Sequence, residues 1–168
     1  MCCQIAAVVE LFERFKRAFD TPGANLDTCL DNLAQLKVAM LSFSSLPPAA
    51  PSAPTQVQQQ ELLLAREVLE YGALLSIKMT DIPSFERYVA QLKIFYTDCA
   101  SILPESQKQH PILGLNLLRL LAQNRIAEFH TELELVPTAL QHSNIYIKYP
   151  TQVCMLCSAR LPPRPYVT

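Results

Sequence analysis

Apolar residues recur along this chain with a helical period, and no stretch shows the alternation of a half-buried strand. Between 81 and 101 they fall at Phe85, Tyr88, Val89, Leu92, Phe95, Tyr96 and Cys99, the stripe that a 3.6-residue helix buries. Asp81 suits the N-cap, because its carboxylate accepts an orphan backbone N–H, and Pro83 then falls in the first turn, where a missing N–H is no loss. The helix is expected to start near Ile82. Alone in water a helix of this length is marginal, so its stripe needs a partner.

The partners are predicted on both sides of it. Over 5–19, Ile5, Val8, Val9, Phe12, Phe15 and Phe19 oppose Glu10, Glu13, Arg14 and Lys16, an amphipathic helix that ends in a turn at 20–24 around Pro22 and Gly23. Asn25 can cap a second helix, whose Cys29, Leu33, Leu36, Met40 and Phe43 form an alternating four-three seam flanked by Leu26 and Leu30. A connector at 46–54 follows, with four prolines and no charge; it reads as a loop, or as a ligand for a proline-reading module. Thr55 and Gln58 make a capping box opening a helix to about Met79, with Leu62, Ala65, Val68, Leu69, Gly72, Leu75 and Ile77 inward and Gly72 admitting a neighbouring backbone. So short a link from Met79 to Asp81 requires an antiparallel hairpin.

His110-Pro111 marks another start. Ile112, Leu113, Leu115, Leu117, Leu118, Leu120 and Leu121 make this helix apolar nearly all round, which predicts burial from several sides. Gln123-Asn124 breaks it, and 125–135 resumes with Ile126, Phe129 and Leu133 until Val136-Pro137, a second hairpin. Residues 144–150 begin a further helix that Pro150 is expected to end. The fold class is therefore all-α: antiparallel helical hairpins stacked as a degenerate helical-repeat domain, an α-solenoid without a strict repeat. The expected organisation is an N-terminal amphipathic helix and turn at 1–24, a helical-repeat domain at 25–150, and a divergent, disordered tail at 151–168.

Bulk properties narrow the function. The 168 residues are 50% hydrophobic and only 17% charged, with net charge −1, a balance that favours association. Arg14, Lys16 and Arg17 are the one close group of basic residues, so no nucleic-acid face is expected. No run of eighteen apolar residues and no leader pattern is present, and the protein is read as intracellular with its six cysteines reduced. Cys29 and Cys99 lie on apolar stripes as small hydrophobes. Cys2 and Cys3 lack the neighbouring glycine and basic cluster that a lipid anchor uses.

Chemistry is hard to find. Cys154-x-x-Cys157 has a chemical name, but a structural zinc site needs four ligands and His142 supplies only a third. A redox pair needs a helix leading out, which Leu161-Pro162-Pro163-Arg164-Pro165 forbids, so the pair reads as incidental. His130 and Glu134 share a helix face at i, i+4 spacing and read as a surface contact. His110 reads as a helix-start residue and His142 as a loop residue. With three glycines, no G-x-S-x-G and no phosphate-cradling loop, no catalytic, cofactor or metal residue is assigned. Neither an enzyme nor a small-molecule substrate is expected.

Three strings carry a resemblance: D-I-P-S-F-E-R-Y-V-A-Q-L-K at 81–93, L-G-L-N-L-L-R-L-L-A-Q-N-R-I-A-E-F-H-T-E-L-E at 113–134, and N-I-Y-I-K-Y-P at 144–150. They resemble the PCI-type non-ATPase regulatory subunit 8 family of the proteasome lid, over about 25–150, with 62–70 fitting more loosely. The resemblance implies a non-catalytic lid subunit of cytoplasm and nucleus that binds other lid subunits and supports ubiquitin-dependent degradation. A scaffold of another PCI-type complex, a signalosome or a translation-initiation assembly, is the alternative, as is a truncated form that is not incorporated. Family members continue past Pro150 into more helix and a winged helix, which 151–168 does not resemble; a truncated or alternative form lacking that part is expected. The stack should then show an uncapped apolar end beyond Leu135. Pro111 falls where the family runs on as helix, so a later start is expected there.

Overall fold

The computed structural model describes residues 2–21, 25–43, 46–47 and 55–160, with the side chains of 2–4 and 157–160 excepted. Outside the described residues lie the Cys2, Cys3 and Cys157 side chains, most of the turn at 20–24, all but Leu46 and Pro47 of the proline-rich connector, and 161–168. Among the described residues the regular structure is entirely α-helical. The chain divides into two compact units, Met1–Ser106 and Gln107–Thr168. That boundary falls inside the span read from sequence as one helical-repeat domain, and the helix set apart at 1–24 belongs to the first unit.

Unit 1 contains α1 (Cys2–Asp20), α2 (Leu26–Met40), α3 (Gln56–Lys78) and α4 (Ile82–Thr97). The caps are those the residue types require. Asn25 Oδ1 accepts from Asp27 N–H at 3.0 Å, Gln58 Oε1 from Thr55 N–H at 2.9 Å, and Asp81 Oδ1 from Ser84 N–H at 3.1 Å. The predicted stripes are the buried ones: Val8, Phe12, Phe15 and Phe19 on α1, the Cys29–Leu33–Leu36–Met40 seam on α2, and Phe85, Tyr88, Val89, Leu92 and Phe95 on α4. α3 packs against all three other helices. Its Tyr71 ring meets Phe12, Phe15 and Phe19 edge-on, at centroid distances of 5.6, 6.0 and 5.5 Å. Lys78 Nζ reaches back to the end of α1, donating to Phe19 O at 3.0 Å and lying 3.6 Å from the Phe19 ring centroid, a cation where the helix dipole is negative. Three positions differ from expectation: Val9 of the α1 stripe is 41% exposed. Ile77 is also exposed, and Gly72 makes room for the Tyr88 ring, 2.9 Å from where a Cβ would sit, instead of a backbone.

Unit 2 contains α5 (Gln109–Ala122), α6 (Ile126–Glu134), α7 (Thr138–Ser143) and α8 (Ile145–Arg160). Leu117, Leu120, Phe129, Val136, Ile147 and Cys154 form its core, with Leu121, Leu133 and Leu140 against it. α5 starts at Gln109, next to the expected His110-Pro111 start, and Pro111 in its first turn gives up no hydrogen bond. The helix is buried over more than half of its circumference by α6 and α8, through Ile112, Gly114, Asn116, Leu117 and Leu120, and Leu115 marks its open side. Gln141 Nε2 donates to Leu133 O at 2.9 Å and Val136 O at 2.8 Å, satisfying one carbonyl in the last turn of α6 and one just beyond it.

The largest correction concerns the end of the chain. In place of a disordered segment after Pro150, α8 runs through that proline to Arg160. Asn144 Oδ1 caps its start by accepting from Tyr146 N–H at 3.0 Å. Pro150 offers no N–H to the Tyr146 carbonyl four residues earlier, and its ring crowds that oxygen. This carbonyl faces Gly114 of α5: a Cβ there would collide with Tyr146 O and lie 3.0 Å from Tyr146 C. The proline is thus accommodated by a close approach that a glycine permits, and Ile147, Pro150 and Cys154 continue one buried stripe across it.

Candidate protein-docking surfaces

The residues singled out for chemistry are placed as follows. Cys154 is a core side chain of unit 2, and Cys29 and Cys99 are buried in unit 1. Burial pushes the Cys99 thiol above its usual range, with the Asp98 charge adding to it, the opposite of what an activated nucleophile needs. His130 is exposed with its ring edge-on to Phe129 at 5.4 Å, Glu134 and His142 are exposed, and His110 is half-buried in the first turn of α5. Among the described residues no three His, Cys, Asp or Glu side chains converge as a metal site would require.

A polar cluster that stripe analysis missed lies inside unit 1. Glu61, Arg66 and Glu70 of α3 are all buried. Arg66 Nη1 donates to Pro104 O at 2.5 Å, Arg66 Nε lies 3.8 Å from Glu70 Oε1, and the Tyr96 hydroxyl donates to Glu70 Oε1 at 3.1 Å. Burial raises the Tyr96 pKa far above the usual phenol range, and the Glu70 carboxylate raises it further, against a smaller opposing effect of Arg66. Tyr96 is therefore held as a donor. The R-x-x-x-E spacing was visible, but on an amphipathic reading it belonged to the wet face. Because α3 is packed on several sides, its polar face is enclosed as well.

Two surfaces remain suited to binding. On α8, Ile145, Tyr146, Tyr149, Met155 and Leu156 are 53–72% exposed, and Ile145, Tyr149 and Leu156 share one stripe. Since Ile147 and Cys154 are buried on the other side, α8 is apolar on both faces, a pattern that ordinarily means burial all round. Leu135, 66% exposed, adds to the apolar surface of the same unit. In unit 1, α2, α3 and α4 line an open cavity of about 500 Å³.

Comparison with known proteins bears on unit 2 first. Residues 107–160 match the CSN8/PSMD8/EIF3K family, a span that begins at the first residue of that unit. Over a longer stretch the chain is similar to Arabidopsis thaliana 26S proteasome non-ATPase regulatory subunit 8 homolog A, 49% identical over 136 residues, 81% of this chain and 49% of the relative. It is 42% identical to the Schizosaccharomyces pombe 26S proteasome regulatory subunit rpn12 over 111 residues, 66% of this chain and 37% of the relative. It is 32% identical to Saccharomyces cerevisiae RPN12 over 128 residues, 76% of this chain and 46% of the relative. The chain spans about half the length, or less, of these curated relatives. The strings at 113–134 and 144–150 lie within the segment that matches the CSN8/PSMD8/EIF3K family, and the longer similarity is to proteins called 26S proteasome regulatory subunits.

Proposed function

We propose that this chain is a non-catalytic structural subunit of the proteasome regulatory particle lid, acting in cytoplasm and nucleus and supporting ubiquitin-dependent degradation by holding neighbouring subunits. The observation that carries the proposal is the uncovered apolar face of α8, which lies within the family-matched segment. Apolar surface of this kind marks an interaction site. The assembly is named by the relatives, which are called 26S proteasome regulatory subunits, and that description as regulatory supports a role without chemistry. The same names weigh against the signalosome and translation-initiation alternatives. No helix among the described residues is long and apolar enough to cross a membrane.

Purification of the tagged chain from cells, followed by mass spectrometry, tests the proposal. Other proteasome regulatory subunits should co-purify, and Tyr149→Lys combined with Leu156→Glu should deplete them while circular dichroism stays unchanged. Recovery of signalosome or initiation-factor subunits in their place would overturn the assignment. Undiminished recovery by the double variant would remove α8 as the docking face.

A further inference from the structure

Unit 1 presents a different kind of surface. The floor of its cavity is made by Ala65, Leu69, Met40 and Phe95, all buried, and the volume of about 500 Å³ falls in the range of sites that bind ligands. Apolar surface continues out of the cavity onto both walls, through Leu41 at the end of α2, 78% exposed, and Ile94 on α4, 41% exposed. An occupant that covers this surface must be longer than the cavity. The lining includes two cations, Lys37 and Arg87, and no carboxylate. Lys37 Nζ lies 4.5 Å from the Tyr88 ring centroid, and Arg87 Nη2 donates to the Ser84 hydroxyl at 2.8 Å. Asp81 feels the Arg87 charge, but its carboxylate is engaged by the hydroxyl and backbone N–H of Ser84 as the cap of α4.

We propose that the cleft between α2 and α4 is a docking site for an acidic peptide segment of a partner protein, one that carries a bulky apolar anchor. The anchor enters the cavity over Leu69 and Phe95, and carboxylates on either side of it meet Lys37 and Arg87. Charge complementarity selects this occupant. The chain's own connector at 46–54 lines one edge through Leu46 and Pro47, but it carries no charge and offers these cations nothing. The proposal does not depend on assignment to the proteasome lid, because it concerns a cleft in unit 1 and is read out on the purified chain.

Fluorescence anisotropy with a labelled ten-residue peptide, Asp and Glu throughout except for one Leu and one Phe three positions apart, provides the test. Saturable binding is expected, weakening as salt is raised and weakening about tenfold or more in the Lys37→Glu, Arg87→Glu double variant. Both substituted side chains are exposed, so the variant should retain its melting temperature. A charge-reversed, Lys-rich peptide with the same Leu and Phe should bind the double variant better than it binds the native chain. Leu41→Asp should also weaken binding. The proposal is overturned by no saturable binding up to about 1 mM, or by equal binding of an acidic peptide lacking Leu and Phe. It is overturned equally if binding appears only after deletion of 48–53, which would make the connector the occupant, or if the chain dimerises through this cleft and the peptide does not displace the dimer.

Discussion

Two hairpins in this chain are closed by the same turn and belong to units that solve opposite problems. In unit 1, α3 ends with Asp81 N–H on Ser76 O and Thr80 N–H on Ile77 O; in unit 2, α5 ends with Arg125 N–H on Leu120 O and Asn124 N–H on Leu121 O. Both are Schellman closures with one left-handed residue, Thr80 at φ 59° and Asn124 at φ 57°. From there the units diverge. Unit 1 surrounds its long central helix so completely that an ion pair is trapped, whereas unit 2 contains a helix, α8, with one apolar face packed and the other open. The first encloses charge within its core, and the second leaves apolar side chains at its surface.

The buried pair of unit 1 offers the sharpest way to break that contrast. Glu70→Ala leaves the Arg66 charge enclosed and should lower stability by about 3–5 kcal/mol, read by urea denaturation, while Arg66→Met with Glu70→Leu should recover most of the loss. Next in size is Gly114→Ala, which drives a methyl into the Tyr146 carbonyl and should cost about 1–3 kcal/mol. Hydrogen exchange should localise the effect to α5 and α8 and leave α3 and α4 protected. Gly72→Ala is its counterpart in unit 1. There the methyl meets the tip of the Tyr88 ring, which gives way more readily than backbone, and alanine recovers about 1 kcal/mol of helix propensity. The net change should stay within about 1 kcal/mol.

The paired turns allow a smaller test. Thr80→Gly relieves a β-branched residue of a left-handed conformation and should stabilise by about 1 kcal/mol, while Asn124→Gly should change little because asparagine tolerates that region. The smallest effect is expected at Asp81. Hydrogen bonds from the hydroxyl and backbone N–H of Ser84, with Arg87 adding, hold its carboxyl below the reference value of 3.8. A depressed pKa gives stability that is present above the unfolded value and lost as pH falls through the folded one. The melting temperature should therefore drop slightly between pH 5 and pH 2, and Asp81→Asn, which still caps the helix, should remove that part of the pH dependence.

Most of the fold was legible wherever a helix buries one face and wets the other. The α1, α2 and α4 stripes, the Asn25 and Asp81 caps and the break at Gln123-Asn124 all follow from local chemistry. Legibility failed where that contrast vanishes. Val153, Cys154, Met155 and Leu156 surround α8 with apolar surface, so no stripe stands out, and the penalty of Pro150 is a local rule that packing against α5 overrides. α7 is a single short element with Leu140 as its one large apolar residue, too little for a period to register. Arg66 and Glu70 lie on the polar side of α3, and their enclosure depends on neighbours distant in sequence. The exposed apolar face of α8 was hidden for the same reason as α8 itself, whereas exposed apolar surface beyond Leu135 was anticipated.

The meeting of Pro150 and Gly114 through the Tyr146 carbonyl carries a genetic implication. Restoring an amide hydrogen with Pro150→Ala lets that oxygen rejoin the ladder of α8 and withdraw from α5, and a methyl at 114 then finds space it lacked. A lesion at one position becomes benign through a change at the other, so the two sites should travel together through mutation as a single compensated locus.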